Sequence, residues 1–356
     1  MPTPMSQTSL KDRLLIAALP AGEKENGRRL LAALGPIESK LRDVETVLIE
    51  RTRSGIPTIA LIGDYLVDGG GKRIRPALLL LSAHMLGYEG ARDVRYAAMI
   101  EFLHTATLVH DDIIDDAELR RGRPSVNRRW GNELTVLFGD FLYMKSMEIA
   151  LEEGDLRVLR LLSDVTLRMT EGEIIGAERR GLLDLTLEGY LDIVRRKTAL
   201  LFAAACRIPS FLVASAFGES AETWGERLWE YGLSLGIAFQ LQDDLLDYTA
   251  KEADLGKPVL SDLKEGKLTL PLILCLPQAT RAERKLIETV VREEGFESVG
   301  PGRILEIVHR LDGLERAHLV VETHAGRARE IAASFPQTAS LEGFLLAAEY
   351  AANRRK

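Results

Sequence analysis

Two acidic motifs of the same form constrain this chain more than any other feature of its sequence. Each reads Asp-Asp-x-x-Asp inside an otherwise apolar segment, at residues 111–115 and 243–247. On a helix, positions i and i+4 lie on one face, so the first and last aspartates of each motif are expected to be neighbours. Like charges one turn apart repel, and apolar surroundings add to the cost because loss of water disfavours the ionised carboxylate. A chain that twice places neighbouring carboxylates in apolar surroundings is expected to fold around a bound cation.

The residue types in the two motifs indicate which cation this would be. Carboxylate oxygens suit a hard ion, and the small number of ligands per motif suits Mg²⁺, which keeps several waters and takes further ligands from phosphates. One such motif could equally be a solvated acidic helix face or a cap. Two motifs, each beside apolar residues and each followed by basic ones, favour the metal site.

The overall composition excludes several classes of protein. The 356 residues carry a formal net charge of −7, so a general surface for nucleic acid or anionic membranes is not expected. The start of the chain lacks the basic and then apolar pattern of a signal peptide, and no stretch reaches the roughly 18 uninterrupted apolar residues of a membrane span. Cys206 and Cys275 lie in apolar runs and are too few for a disulfide framework. We therefore expect a cytoplasmic protein with reduced thiols.

Helical periodicity dominates the chain, whereas strand-like alternation and Asn-Gly turns do not recur. We predict a single all-α domain over residues 10–356, after a flexible tail of residues 1–9. Pro76 is expected at the first position of a helix that ends at Leu86. The other predicted helices cover residues 10–19, 25–52, 57–67, 91–115, 131–152, 155–180, 187–206, 209–217 and 220–247, with four or five more between 268 and 352.

Two basic clusters stand out against the negative net charge, at residues 72–75 (Lys-Arg-Ile-Arg) and 120–123 (Arg-Arg-Gly-Arg). The lysine and both arginines of the first cluster are expected to hold a phosphate directly, since a guanidinium group binds two oxygens at once. The glycines at 69–71 lack the spacing and the Lys-Ser/Thr ending of a P-loop. A solvated basic turn stays open as the alternative for this cluster.

The residues before the first acidic motif are small or apolar along one helix face: Ile100, Leu103, Ala106 and Thr107. They could line a hydrophobic slot that leads away from a charged mouth, although ordinary core packing would also explain most of them. A charged head on an apolar chain is what a prenyl diphosphate presents, so the slot and the charged residues together indicate such a ligand.

Over roughly residues 45–350 the chain resembles a trans-prenyltransferase of the polyprenyl diphosphate synthase family. The resemblance implies an all-α, single-domain isoprenoid synthase helical bundle around a central hydrophobic cavity. It also implies a homodimer and a cluster of three Mg²⁺ ions in each active site. Seven motifs in family order carry it, at residues 70–76, 104–115, 120–122, 139–140, 197–199, 239–247 and 262–271.

The resemblance further implies a role for each matching position. Three residues would ligate Mg²⁺: Asp111, Asp115 and Asp243. Three more would complete the acidic walls: Asp112, Asp244 and Asp247. These six aspartates and Lys197 would together form the catalytic set. Four would bind isopentenyl diphosphate: Lys72, Arg75, His104 and Arg121. Six would contact the allylic diphosphate: Arg120, Lys197, Thr198, Gln240, Lys257 and Lys267.

The reaction that the resemblance implies is ionisation of the allylic diphosphate, head-to-tail condensation with isopentenyl diphosphate, and elimination of a proton. In the family, bulky residues four and five positions before the first motif close the slot early. Here Thr107 and Ala106 are small, so we expect a long-chain all-trans product, with Tyr143, Met144 and Met147 as candidates for a deeper floor. At Leu260 the family often has glycine, which puts the exact turn of that loop in doubt.

Three other interpretations are open. A di-iron carboxylate bundle would use Glu-x-x-His pairs, which occur at residues 101–104 and 315–318 but leave both acidic motifs unexplained. A terpene cyclase or a head-to-head synthase would need no second diphosphate pocket, whereas the basic residues indicate two. An inactive partner subunit typically has degraded acidic motifs, and both are intact here.

Overall fold

The computed structural model describes residues 29, 32–249 and 259–353. The expected tail at 1–9, the predicted helix at 10–19, and Lys257 lie outside the described residues. Helices form nearly all of the regular structure in the described ranges, which confirms the all-α prediction. Strands are found there only in two short antiparallel hairpins, β1 (Leu119–Arg120) with β2 (Arg123–Pro124), and β3 (Ser215–Ala216) with β4 (Glu219–Ser220).

The described chain divides into two compact units. The first falls within Met1–Leu159, Ala205–Gly225 and Pro336–Leu346. The second falls within Arg160–Ala204, Glu226–Phe335 and Ala347–Lys356. The first acidic motif belongs to the first unit and the second motif to the second unit. The assignment of residues 10–356 to a single domain stays a prediction.

The first unit is built around one long helix that is buried on most sides. Its helices are α1 (Glu38–Thr52), α2 (Pro57–Asp68), α3 (Ile74–Met85), α4 (Arg92–Ile114), α5 (Val126–Trp130) and α6 (Asn132–Glu153). The central helix α4 packs against α6, α3 and α1. Its segment from residue 96 to 103 is buried without interruption, and the one charged side chain of this segment, Glu101, pairs with Arg73.

The helices that follow α6 include the second acidic motif near the end of the longest one, α10. In chain order they are α7 (Leu156–Arg179), α8 (Leu187–Val194), α9 (Leu200–Arg207), α10 (Ala221–Thr249), α11 (Ser261–Lys264), α12 (Leu270–Cys275), α13 (Arg281–Glu293), α14 (Pro301–Arg310), α15 (Gly313–Ala333) and α16 (Leu341–Asn353). A π-helical turn, Arg195–Ala199, joins α8 to α9 without a break. Among the residues described, none of the helices combines the length and the apolar character that a membrane crossing requires.

Most predicted helices agree with the observed ones to within two residues, and the exceptions have local causes. The predicted helix at 209–217 is wrong: Ile208–Leu212 is a 3₁₀ turn and Val213 is extended. Phe217 and Gly218 then adopt positive φ values of 51° and 77°, the conformation of a tight hairpin turn. A 3₁₀ turn at Gly35–Ile37 interrupts the predicted helix at 25–52, because the proline at its second position has no N–H to donate.

The helix after the first basic cluster begins at Ile74, two residues before the predicted start. Pro76 is therefore its third residue rather than its first. This position still tolerates proline, since the first four N–H groups of a helix have no partner within it.

Candidate active site

The first acidic motif lies at the C-terminal end of α4. Asp111 and Asp112 belong to its last turn, and the N–H of Asp115 donates to the carbonyl oxygen of Asp111 at 2.9 Å. The C-terminus of a helix carries partial negative charge, so three carboxylates there are unfavourable unless a cation offsets them. Asp111 and Asp115 are half-buried, which adds to this cost.

Asp112 is buried and binds a basic side chain of the motif that follows. It is 2% exposed, and its Oδ1 accepts two hydrogen bonds from Arg120, of which the one from Nε is 2.8 Å long. Its backbone carbonyl accepts from Asn127 Nδ2 at 3.1 Å. Burial raises the pKa of Asp112, while hydrogen bonding to Arg120 opposes that rise. Asp112 therefore orients Arg120, one of the residues that we predicted to contact the allylic diphosphate.

A tyrosine that the sequence analysis missed fixes the hairpin that carries Arg120 and Arg121. Tyr65 on α2 donates from its hydroxyl to the carbonyl oxygen of Pro124 at 2.6 Å. The guanidinium carbons of Arg123 and Arg129 lie 4.1 and 4.6 Å from the centre of its ring. Such cation–π contacts contribute about 0.5–2 kcal/mol each, depending on how far water is excluded. The ring thus anchors the β1–β2 hairpin to α2.

Arg73 does not have the role that its cluster predicted. Its guanidinium pairs with Glu45 at 2.6 Å and with Glu101 at 2.7 Å, and its side chain is only 10% exposed. We had expected it to hold phosphate, but these two carboxylates occupy its guanidinium. The pairing also engages Glu101, the first residue of one Glu-x-x-His pair of the di-iron interpretation.

A glycine brings the two basic clusters together. A Cβ atom at Gly71 would lie 2.6 Å from Arg73 Nη1 and 3.1 Å from Arg121 Nη1, so the backbone of this loop passes close to one guanidinium group of each basic cluster. A cavity of about 60 Å³ beside them is lined in part by Arg73, Arg120 and Arg121. Lys72 and Arg75 are half-buried at the start of α3. The first unit thus gathers basic side chains from two segments that are distant in the chain.

His104 lies two turns before Asp111 on α4 and is half-buried. Burial and the positive charges of Arg75 and Arg121 lower its pKa well below the ordinary value. His104 is therefore neutral at pH 7 and can offer a hydrogen bond but not a charge.

Ala106 and Thr107, the predicted chain-length residues, differ in their exposure. Ala106 is 2% exposed, whereas Thr107 is half-buried and donates from Oγ1 to the carbonyl oxygen of His104 at 2.8 Å. Of the three floor candidates, Met144 is 58% exposed on α6, which does not fit a cavity floor within its unit. Tyr143 and Met147 are half-buried, and their role stays a prediction.

In the second unit, hydrogen bonds connect the π turn to the second acidic motif. Gln240 accepts from Thr198 Oγ1 at 2.9 Å and donates from Nε2 to Asp244 at 2.8 Å. Asp244, which is buried, also accepts from the hydroxyl of Tyr190. Burial, assisted by the negative charge of Asp262, raises the pKa of Asp244 to about 7. Gln240 is thus oriented by two of the predicted site residues, while Asp243 is half-buried beside them.

Asp247 holds the loop that leads to Lys267. It is 1% exposed and accepts from Ser261 Oγ at 2.7 Å and from the N–H of Asp262 at 3.1 Å. Its carbonyl oxygen accepts from the N–H of Leu260 at 2.9 Å. Leu260 has a φ of 60°, so it adopts the left-handed conformation that suits glycine, and its buried side chain offsets the roughly 1–2 kcal/mol of strain. The turn is therefore formed without the glycine.

Replacement of Asp247 by alanine is expected to lower the free energy of unfolding by about 1–3 kcal/mol, because the Ser261 hydroxyl and the Asp262 N–H would lose their buried acceptor. Urea unfolding followed by circular dichroism measures the change. Asp184→Ala is the control, since Asp184 forms only an exposed ion pair with Arg179 at 3.8 Å. Equal unfolding free energies for the two variants would contradict the role of Asp247.

Two predicted diphosphate ligands of the second unit are paired with neighbouring carboxylates. Lys197 Nζ lies 2.8 Å from both carboxylate oxygens of Glu173. Lys267 Nζ lies 2.9 Å from Glu265. Both lysine side chains are about 30% exposed.

The donor atoms fit a metal that is shared with a phosphate ligand. In the described ranges no group of three or more His, Cys, Asp or Glu side chains is placed to hold a metal ion. Mg²⁺ is usually bound through one or two carboxylates, with waters and substrate phosphates completing its octahedron. Asp111 and Asp115, half-buried at the end of α4, offer the one or two carboxylates that this mode requires, and Asp243 is likewise half-buried in the second unit.

Comparison with known proteins agrees with this fold and chemistry. The family model described as polyprenyl synthetase matches residues 56–303. The octaprenyl diphosphate synthase of Escherichia coli (strain K12) is 37% identical over 312 residues, which cover 87% of this chain and 94% of that protein.

Two solved structures are also similar. A polyprenyl synthase from Caulobacter crescentus CB15, complexed with calcium and isoprenyl diphosphate, has a TM-score of 0.86 and 31% identity over 92% of this chain and 98% of that one. A decaprenyl diphosphate synthase from Rhodobacter capsulatus has a TM-score of 0.84 and 33% identity over 90% and 97% of the two chains.

These similarities define the class of protein as an α-helical prenyltransferase with the isoprenoid synthase fold, as the sequence predicted. The chain belongs to the polyprenyl synthetase family.

Proposed function

We propose that this prenyltransferase condenses isopentenyl diphosphate with an allylic diphosphate to give a long-chain, all-trans polyprenyl diphosphate, and that it requires Mg²⁺, in a cluster of three ions. The observation that carries the proposal is the position of the first acidic motif at the C-terminal end of α4, with a second motif of the same form on α10. A cation bound at the C-terminal end of a helix is favoured, because it complements the negative end of the helix dipole. The calcium and isoprenyl diphosphate of the Caulobacter relative support a divalent metal.

Isopentenyl diphosphate is assigned to the basic side chains gathered in the first unit: Lys72, Arg75, His104 and Arg121. Arg121 lines the cavity beside Gly71, and the charges of Arg75 and Arg121 both act on His104, so the closeness of these three residues supports the assignment. His104 would contribute a hydrogen bond to this diphosphate.

The allylic diphosphate is assigned to Arg120, Lys197, Thr198, Gln240, Lys257 and Lys267, and the Mg²⁺ ions to Asp111, Asp115 and Asp243. When bound, the ions would neutralise charge on the diphosphate oxygens as Lewis acids. Arg120 is supported in this role by its fixed orientation on Asp112, and Lys197 by its partly exposed side chain.

In the proposed reaction the bond between C1 and the diphosphate oxygen of the allylic substrate breaks, and the electron pair leaves with the diphosphate. Arg120 and Lys197 stabilise the negative charge that develops there. The double bond of isopentenyl diphosphate then forms the new carbon–carbon bond at C1. A proton leaves C2 of the former isopentenyl unit, and the released diphosphate accepts it, so that no protein base is required.

One incubation tests the proposal. Purified protein receives Mg²⁺, labelled isopentenyl diphosphate and one allylic diphosphate at a time, and the products are dephosphorylated and sized by chromatography. Extension by successive five-carbon units, dependent on the allylic primer, is expected. Label found in a cyclic hydrocarbon, or the absence of any labelled product longer than the primer, would contradict the proposal.

The product is expected to become shorter when a phenyl ring replaces a small residue before the first motif. Ala106→Phe would place the ring in the proposed slot, and chromatography of the products measures the shift. Overpacking at this buried position costs about 1–3 kcal/mol, so the half-buried Thr107→Phe is a second variant. Ala106→Ser, which stays small, is the control with unchanged length. Unchanged products from both phenylalanine variants would show that the slot lies elsewhere.

A homodimer and a cytoplasmic location are also proposed. Leu137, Met144 and Leu151 are 57%, 58% and 64% exposed and recur every seven residues on α6, a pattern that favours helix pairing with a second copy. Both cysteines are buried free thiols, which supports a reducing compartment. Sedimentation velocity should give twice the chain mass, and Leu137→Glu should reduce it to that of a single chain.

A further inference from the structure

The helix that carries Lys197 and Thr198 changes its winding at these two residues. Residues 195–199 form a π-helical turn between α8 and α9. Such turns are rare, cost stability and recur at functional sites. Three consecutive side chains of this turn are bound to neighbouring helices. Arg196 pairs with Glu171, Lys197 with Glu173, and Thr198 donates to Gln240.

A glycine on α7 lies against the backbone of this turn. A Cβ atom at Gly172 would be 2.6 Å from Arg196 Cβ and 3.1 Å from the backbone nitrogen of Lys197. Neither atom is the end of a flexible side chain, so an added methyl group would have to move the turn itself. Gly172 also directly precedes Glu173, the partner of Lys197.

Another glycine supports the turn from α10. A Cβ atom at Gly236 would be 2.6 Å from the Cα atom of Ala199. The turn is therefore held between two helices that approach it without side chains.

The next glycine on α7 provides a contrast. Gly176 is one turn after Gly172, but a Cβ atom there would meet only Ile193 Cγ2 at 3.8 Å, an ordinary van der Waals distance. The close contact is thus specific to the position that faces Arg196 and Lys197.

We propose that Gly172 is a positioning residue for Lys197: its missing side chain lets α7 hold the π turn in the one place where the ammonium group can serve the allylic diphosphate. This inference rests on the proposed function, because it takes the assignment of Lys197 to that diphosphate as given.

Gly172→Ala is expected to lower kcat/KM for the allylic diphosphate by about tenfold or more, since even a 1 Å displacement of a charged group is costly in catalysis. Gly176→Ala should leave kcat/KM within about twofold of the unchanged protein, as for substitutions away from special contacts. The midpoint of thermal unfolding is measured for both, so that a loss of fold is separated from a loss of position.

A double-mutant cycle with Lys197→Ala distinguishes positioning from general damage. If Gly172 acts through Lys197, Gly172→Ala should cost little further activity once Lys197 is alanine. If Gly172→Ala lowered kcat/KM by the same factor with lysine and with alanine at position 197, the inference would be overturned. Nearly full activity of Lys197→Ala alone would instead overturn the assignment of Lys197 in the proposed function, and full activity of Gly172→Ala would overturn only the positioning.

A compensating change keeps the inference testable if Gly172→Ala does not fold. Arg196→Gly removes the atom that lies 2.6 Å from the added methyl group. The Gly172→Ala/Arg196→Gly variant is expected to unfold at a higher temperature than Gly172→Ala, although the contact with the backbone nitrogen of Lys197 at 3.1 Å remains. A double variant that is no more stable than Gly172→Ala would contradict the close contact with Arg196 from which the inference is drawn.

Discussion

Replacement of Asp111 by asparagine is expected to lower turnover at least about 100-fold, the usual cost of removing one group that stabilises developing charge. Asparagine keeps the size of the side chain but removes its negative charge, so the proposed Mg²⁺ ligand loses its charge while packing is preserved. The helical circular dichroism should be unchanged. Steady-state kinetics with both diphosphates measures the effect.

Asp116→Asn is the matched control for this prediction. Asp116 directly follows the motif, is exposed, and pairs with Arg128 at 3.2 Å on the surface. Its positive φ of 46° is also compatible with asparagine. The turnover of Asp116→Asn should match that of the unsubstituted protein. If Asp111→Asn retained most of its activity, the metal assignment of the first motif would be wrong.

Removal of divalent metal with EDTA is expected to abolish activity, and added Mg²⁺ should restore it. A further prediction concerns affinity. Because Mg²⁺ is usually bound through one or two carboxylates and takes its other ligands from waters and phosphates, Mg²⁺ alone should bind weakly, and Mg²⁺ with inorganic diphosphate should bind much more tightly. Isothermal calorimetry can compare the two titrations.

The control for metal removal is Asp111→Asn in the same titrations. Its binding of Mg²⁺ with diphosphate should be weaker, while its unfolding transition remains cooperative. Tight binding of Mg²⁺ alone to the unchanged protein would show that a complete protein cage exists, contrary to the donor geometry described above.

Much of the fold follows from local patterns in the sequence. Helices such as α4, α6 and α10 have long periodic segments, so their bounds are predicted within two residues. The acidic motifs and basic clusters can be read directly because they are contiguous. The segment at 209–217 was predicted wrongly because its turn depends on two residues with positive φ, and one of them is Phe217 rather than glycine.

The parts of the site that sequence could not give depend on contacts between distant residues. Nothing near Arg73 in the chain indicates that Glu45 and Glu101 will bind it. Tyr65 carries a weak signal, since an aromatic residue close to basic clusters suggests a cation–π contact, but its partners lie on another segment. The role of Gly172 appears only once α7 and the π turn are seen side by side.

The pairing of Arg120 with Asp112, Lys197 with Glu173 and Lys267 with Glu265 has an electrostatic consequence. Each of these three cations, which we propose as phosphate ligands, has a carboxylate counter-ion that already holds it in position. Binding of the diphosphate would then exchange one anion for another around cations that are placed in advance, which is the preorganisation that favours charge stabilisation.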